Sequence, residues 1–240
     1  MKWCHKALFL SLLGIMAFPA PSWAKSDAFR STFFMIDKDR WYVSHGWANG
    51  KHQSCEWRKD ALSVRDDKMV MTLSDRGGKV RDHGCPEIHT KARLGYGLYE
   101  TRMRSAAGSG LNTAFFTYIG PPNGVPEHDE IDFEFLGKNP RTVDINYHVN
   151  GKSMLGKSID LGFDASKDFH DYSFDWSPTA IKWFVDGRKV FETPSGGALP
   201  RNPGNLFFSL WSGVPEWMGP FRYEEPVEAE VAWVRFTPHN

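Results

Sequence analysis

The chain of 240 residues is poor in cysteine, with only Cys4, Cys55 and Cys85, and it has no excess of charge, 29 basic residues standing against 29 acidic ones. No CxxC or HxxxH spacing accompanies the cysteines, so a zinc-type ligand set is not expected from them. The charge balance gives no electrostatic reason to seek nucleic acid or an anionic membrane surface. Internal repeats, low-complexity linkers, charge blocks and long amphipathic helical patterns are all missing, which leaves nothing to mark a second domain.

Apolar runs are short with one exception. Ala7–Phe18 follows Lys2 and Lys6, is broken behind by Pro19 and Pro21, and leads to Ser22-Trp23-Ala24, a small-x-small site. That order predicts a secretory signal over residues 1–24, because the run is too short to span a bilayer. Export to the periplasm or the medium, without a membrane anchor, is the expectation. Cleavage after Ala24 takes 24 of the 240 residues and leaves 216. Losing Lys2 and Lys6 leaves 27 basic against 29 acidic residues, a net of −2. Residues 25–240 suit one large all-β domain, expected as a monomer. With Cys4 gone, Cys55 and Cys85 are an even pair in an oxidising compartment, and a disulfide is the economical expectation.

What the sequence does have is period-two alternation, over Leu62 to Leu73, Tyr96 to Arg104, Asp144 to Val149, Ile181 to Val185, Lys189 to Thr193 and Glu230 to Phe236. Asp186-Gly187 has the residues of a two-residue hairpin turn, and Asn202-Pro203-Gly204-Asn205 marks another reversal. Short strands joined by Gly and Pro turns predict two antiparallel sheets packed face to face, with a barrel as the alternative. Trp183 and Trp233 fall within alternating strands and are expected in the core. Trp211 and Trp217, in the loop-like SLWSGVPEWMGP, are candidates for an exposed platform that offers a flat apolar face to a sugar.

The segment Glu127-His128-Asp129-Glu130-Ile131-Asp132-Phe133-Glu134-Phe135-Leu136-Gly137 carries the chemistry. As a strand it sets Glu130, Asp132 and Glu134 on one face and Ile131, Phe133 and Phe135 on the other. Four residues at about 3.3 Å each separate the two glutamate backbones by about 13 Å, and side chains leaning together bring the carboxyls to roughly 5 to 6 Å. Retaining glycosidases hold their carboxyls about 5 to 5.5 Å apart. Asp132 between them makes full ionisation costly, so one group keeps its proton to higher pH. Two other readings stand beside this one: a solvated acidic edge strand, and a calcium or magnesium site built from Asp129, Glu130, Asp132 and Glu134. Acids along a straight strand do not wrap a cation as a loop does.

With EIDFEFLGK meeting the pattern E-[IL]-D-x-E, the sequence resembles glycoside hydrolase family 16, the laminarinase and lichenase group, and its bacterial endo-β-1,3-1,4-glucanases in particular. GYGLYE at 95–100, FFTYIGP at 115–121, INYHVNG at 145–151, LGFDASKDFHDYSFDWSP at 161–178 and IKWFVDG at 181–187 extend the likeness over nearly the whole mature chain. The resemblance implies a β-jelly-roll whose concave sheet forms a cleft for the interior of a β-linked polysaccharide. It implies Glu130 as nucleophile, Glu134 as general acid and base, and Asp132 as the residue that orients the nucleophile. It implies a Cys55–Cys85 disulfide and substrate contacts from Asn49, Glu87, Phe116, Tyr118, Asn146, Trp211 and Trp217.

Three histidines depart from the pattern: His128 where lichenases carry Trp, His148 where they carry Tyr, and His89 where Arg is common. His128 and His148 are counted among the substrate-binding candidates. The changes put a bacterial exopolysaccharide such as succinoglycan beside mixed-linkage β-glucan as the expected substrate. Ala232 stands where lichenases often supply an aspartate to a structural calcium, so that calcium is doubtful; no cofactor is required and no metal ligands are assigned. A lectin or a transglycosylase on the same fold are the rival functions.

Overall fold

A computed structural model describes residues 27–121 and 127–239. The expected signal segment and Cys4 lie outside the described residues. Two eight-stranded sheets form the body of the fold, and the described residues add one helical turn at Pro215–Met218, a 3-10 turn at Lys59–Ala61 and a two-stranded parallel pair, Cys55–Trp57 with His83–Cys85. The two sheets form the expected jelly-roll sandwich.

One sheet carries the acids. Its order runs Lys152–Ser153, Thr142–Val149, Asp129–Leu136, Leu111–Ile119, Asn205–Ser212, Glu87–Thr90 and Trp41–Val43, with Lys157–Asp160 also paired to Thr142–Val149. The opposing sheet runs Arg188–Glu192, Ile181–Val185, His170–Trp176, Gly97–Arg104, Val227–Pro238, Lys68–Leu73 and Leu62–Arg65, with Phe29–Thr32 paired to Val227–Pro238. Strict alternation of buried and half-buried residues in Gly97–Arg104 and Ile181–Val185 is what one covered and one open face require.

Between the sheets lies an aromatic core. Phe115 stacks on Phe208 within the acid-bearing sheet, at 5.2 Å between ring centroids, and meets Phe174 of the opposing sheet at 5.4 Å. Ile131, Phe133 and Phe135 are sealed in this layer. Each such ring removes an apolar surface whose burial stabilises the fold by roughly 1.5 to 3 kcal/mol before entropy is counted.

Turn chemistry follows the sequence at Asp186-Gly187, where both residues have positive φ, 47° and 74°, as a type I′ hairpin demands. The run Leu62 to Leu73 is two strands and not one. Asp66 and Asp67 both take positive φ and turn Leu62–Arg65 back onto Lys68–Leu73. Aspartate tolerates the left-handed region better than most residues, so this pair makes a hairpin without glycine.

Trp233 is not in the core. Val227–Pro238 pairs with Gly97–Arg104 through a bulge between Val231 and Trp233, which absorbs Ala232 and reverses the phase of the strand. Ala229 and Val231 point inward before the bulge, Val234 and Phe236 after it. Trp233 is left half-buried on the outer side, covered by the Arg30 guanidinium 4.8 Å above its ring.

Cys55 and Cys85 form the disulfide, with Cα atoms 5.8 Å apart across a separation of 30 residues. Closing a segment of that length stabilises by about 3.5 kcal/mol in the loop-entropy model.

Candidate active site

The acidic strand is central, not an edge. Asp129–Leu136 lies between Leu111–Ile119 and Thr142–Val149, so its backbone is paired on both sides. Residues opposite each other in an antiparallel ladder share a face. Glu130 therefore stands between Tyr118 and His148, Asp132 between Phe116 and Asn146, and Glu134 between Ala114 and Asp144. The rows continue outward through Asn205 from Tyr118, Phe207 and His89 from Phe116, and Ser209 and Glu87 from Ala114. The solvated edge-strand reading is thereby excluded, and all three acids share one outer face with these neighbours.

Their environments differ. Asp132 is 2% exposed, and burial first, then the charges of Glu130 and Glu134, push its carboxyl well above the usual range. Glu134 is half-buried, and its carboxyl is pushed up to about 8 by burial first and by the Glu130 charge second. A hydrogen bond donated by Asn112 Nδ2 to Glu134 Oε1 at 3.0 Å opposes that rise. The arrangement divides the row as acid catalysis requires, with proton-holding carboxyls at Asp132 and Glu134.

Glu130 faces two histidines. Nε2 of His128 donates to Glu130 Oε2 at 2.7 Å, and that bond raises the imidazole above its ordinary value. Nδ1 of His148 lies 3.4 Å from the same oxygen and 3.6 Å from Asp132 Oδ2. His148 is held below its ordinary value, mainly by burial. Both His148 Nδ1 and Asp132 Oδ2 are buried without a hydrogen-bond partner.

Asp129 has a different task. Its carboxylate accepts from Asn150 N at 3.1 Å, Arg201 N at 2.9 Å, Asn202 N at 3.1 Å and Asn202 Nδ2 at 2.9 Å. Those donors occupy the oxygens that the calcium or magnesium reading needed.

Beside Asp132 an aromatic file crosses the sheet. Phe116 stacks on Phe207 with centroids 4.9 Å apart, Phe207 meets His89 at 4.5 Å, and His89 meets Tyr42 at 5.0 Å. Trp211 and Trp217 stand together at the other end, 6.4 Å apart and both half-exposed. Trp211 belongs to the strand Asn205–Ser212 and not to a loop. Trp217 rides on the helical turn Pro215–Met218, and its Nε1 reaches Asp144 Oδ2 at 3.4 Å.

The remaining candidates divide. Tyr118 and Phe116 are half-buried on the acid-bearing face. Asn146 is on that face too, yet its Oδ1 accepts from Leu155 N at 3.1 Å and Gly156 N at 3.0 Å, so it also braces the adjoining turn. Asn49 is exposed in the 45–54 segment, whose His52 meets Trp211 edge-on at 6.1 Å. Glu87 is neither in a loop nor solvated: it is a strand residue, 5% exposed, receiving Ser44 Oγ at 2.5 Å, and burial pushes it up to about 7. Sequence reasoning missed Phe207, Tyr42, Asp144 and Asn112. For Phe207 and Asn112 the trace was there, since each has the same parity in its strand as the candidates Trp211 and Phe116.

Comparison with known proteins bears on the family. Residues 49–235 match the family model described as Glycosyl hydrolases family 16. The chain is 43% identical over 212 residues to the endo-1,3-1,4-beta-glycanase ExoK of Rhizobium meliloti, covering 88% of this chain and 78% of that protein. It is 38% identical over 233 residues to a beta-glucanase of Bacillus subtilis, covering 96% and 93%. The solved beta-glucanase of Bacillus licheniformis superposes with a TM-score of 0.84 at 36% identity, covering 89% of this chain and 99% of that one.

Proposed function

The chain belongs to glycosyl hydrolase family 16, and from that premise we propose that it cuts internal β-glycosidic bonds of a β-1,3-1,4-linked, glucan-type polysaccharide with retention of configuration. One observation carries the reading: Glu134 keeps its proton up to about 8 while sharing an outer strand face with Glu130 four residues away. In the proposed cycle Glu130 attacks the anomeric carbon and Glu134 protonates the leaving oxygen. A glycosyl-enzyme ester forms, and Glu134, now ionised, takes a proton from the water that breaks it. Asp132, protonated, keeps the row from carrying three full charges and lies where it can orient Glu130.

His128 and His148 stand on either side of the nucleophile, and small imidazoles replace the wider rings expected of a lichenase at these positions. That exchange favours a substrate other than cereal-type mixed-linkage glucan, and a bacterial exopolysaccharide such as succinoglycan fits it. The basic start, apolar run and small-x-small site over residues 1–24 support export to the periplasm or medium.

Viscometry on lichenan, laminarin and succinoglycan tests the activity. Glu130→Gln and Glu134→Gln are each expected to slow depolymerisation by roughly 10² to 10⁴-fold or more while the proteins stay folded. Near-normal rates in either variant overturn the assignment.

A further inference from the structure

His128, Glu130 and His148 each bring one ligating atom to a common point, the three atoms lying within 4.8 Å of one another. It is the one such grouping of histidine, cysteine and carboxylate found among the described residues. The backbone accounts for the convergence. Glu130 and His148 are register partners in the ladder, and His128 stands two residues before Glu130 on the same side. The rings of His128 and His148 face each other, 5.0 Å between centroids and 15° from parallel.

The spacings suit an ion. Around a tetrahedral centre with bonds of about 2.1 Å, neighbouring ligand atoms lie about 3.4 Å apart. His148 Nδ1 and Glu130 Oε2 are 3.4 Å apart. His128 Nε2 and the same oxygen are 2.7 Å apart, the distance set by the proton they share. Replacing that proton by an ion opens the pair by about 0.7 Å, within reach of a side-chain torsion.

A second observation points to a ligand. His148 Nδ1 is buried and has no hydrogen-bond partner, and the equally orphaned Oδ2 of Asp132 is 3.6 Å from it. A buried polar nitrogen without a partner is uncommon, because the desolvation cost of its lone pair or proton goes uncompensated. Besides the shared proton of His128 and Glu130, loading must loosen the long contact between His148 Nε2 and Asn146 Nδ2, at 3.5 Å, since a ligating Nδ1 carries its ring proton on Nε2.

We propose that His128, Glu130 and His148 form a site for a divalent transition-metal ion of the zinc class, and that an ion held there withdraws Glu130 from the sugar. Two imidazoles and one carboxylate suit Zn²⁺ or Cu²⁺, whereas calcium and magnesium prefer an all-oxygen shell. Metal therefore acts as a reversible inhibitor that competes with substrate for the nucleophile. The inhibitory half rests on the function proposed above, while the binding half does not.

Calorimetric titration of ZnCl₂ into the tag-free, chelator-stripped protein reads the binding without turnover. One equivalent is expected to bind, weakened at least tenfold in His128→Gln and in His148→Gln. His148→Tyr serves as a second variant should the glutamine form fail to fold, with thermal melting as the check. Absence of Zn²⁺ binding to the parent protein, or binding unchanged in the folded variants, overturns the site. Viscometry then tests the second half: Zn²⁺ at the calorimetric affinity should suppress depolymerisation, and EDTA should restore it. Full activity at saturating Zn²⁺ overturns the inhibitory claim. A protein that binds Zn²⁺ yet cuts no glycan when metal-free keeps the site and refutes only the proposed hydrolysis.

Discussion

The indole Nε1 of Trp183 donates a hydrogen bond to the backbone carbonyl oxygen of Asp132 across the interior of the sandwich, at 3.1 Å. Trp183 belongs to the opposing sheet and is fully buried. The middle of the acidic strand is thus fixed from behind as well as from its two flanking strands. Trp183→Phe keeps most of the apolar volume and removes the donor. The expected loss is about 1 to 3 kcal/mol of stability, read from the denaturant midpoint, with a fall in kcat larger than any change in KM because the strand that carries Glu130 and Glu134 is loosened.

Glu134 acts as proton donor only while protonated, and its carboxyl is pushed up to about 8. The rate should therefore hold on the alkaline side of neutrality and fall as pH rises through about 8. Asn112 opposes the rise by donating to the ionised form. Asn112→Ala should move the alkaline limb of the kcat profile to higher pH while lowering kcat, since the group is less well held. A limb that moves down or stays put counts against Glu134 as the acid.

Glu87 supplies a pH dependence of stability that is separate from catalysis. Its pKa rises from 4.5 to about 7 on folding, so the native state holds a proton that the unfolded chain has released. Stability from this group is full below about 4.5 and is lost as pH rises through about 7. For a carboxyl 5% exposed the loss is on the order of 3 kcal/mol. Glu87→Gln keeps an acceptor for Ser44 Oγ and should flatten the decline, melting higher than the parent at pH 8 and much like it at pH 4.5. A parallel pair of melting curves across that range defeats this account.

The acidic strand was readable because period two needs only neighbours in sequence: Ile131, Phe133 and Phe135 went inward and Glu130, Asp132 and Glu134 outward, as alternation requires. The Asp186-Gly187 hairpin was an equally local inference, whereas the Cys55–Cys85 pairing followed from the cysteine count and the expected compartment. Trp233 escaped because a one-residue bulge at Ala232 changes the phase without changing the composition of the strand. The hairpin at Asp66-Asp67 escaped because no glycine or proline marks the turn, although the charged run from Arg65 to Lys68 interrupts the alternation there.

The aromatic file was the least legible part of the site. Tyr42, His89, Phe116 and Phe207 come from four strands whose order in the sheet is not their order in the chain. No window of sequence holds two of them, and only the ladder registers bring them together. The meeting of His128 and His148 over Glu130 is of the same kind. Each was visible as a departure from a family pattern, but their common target needed the pairing of Asp129–Leu136 with Thr142–Val149.

Asp129 fastens three stretches of chain with one carboxylate: its own strand, the turn at Asn150 and the segment Arg201–Asn202. Neither of the latter two can be exchanged for a foreign loop without finding donors for the same pair of oxygens. Attempts to retarget specificity by grafting should therefore transplant both segments together, or leave both alone.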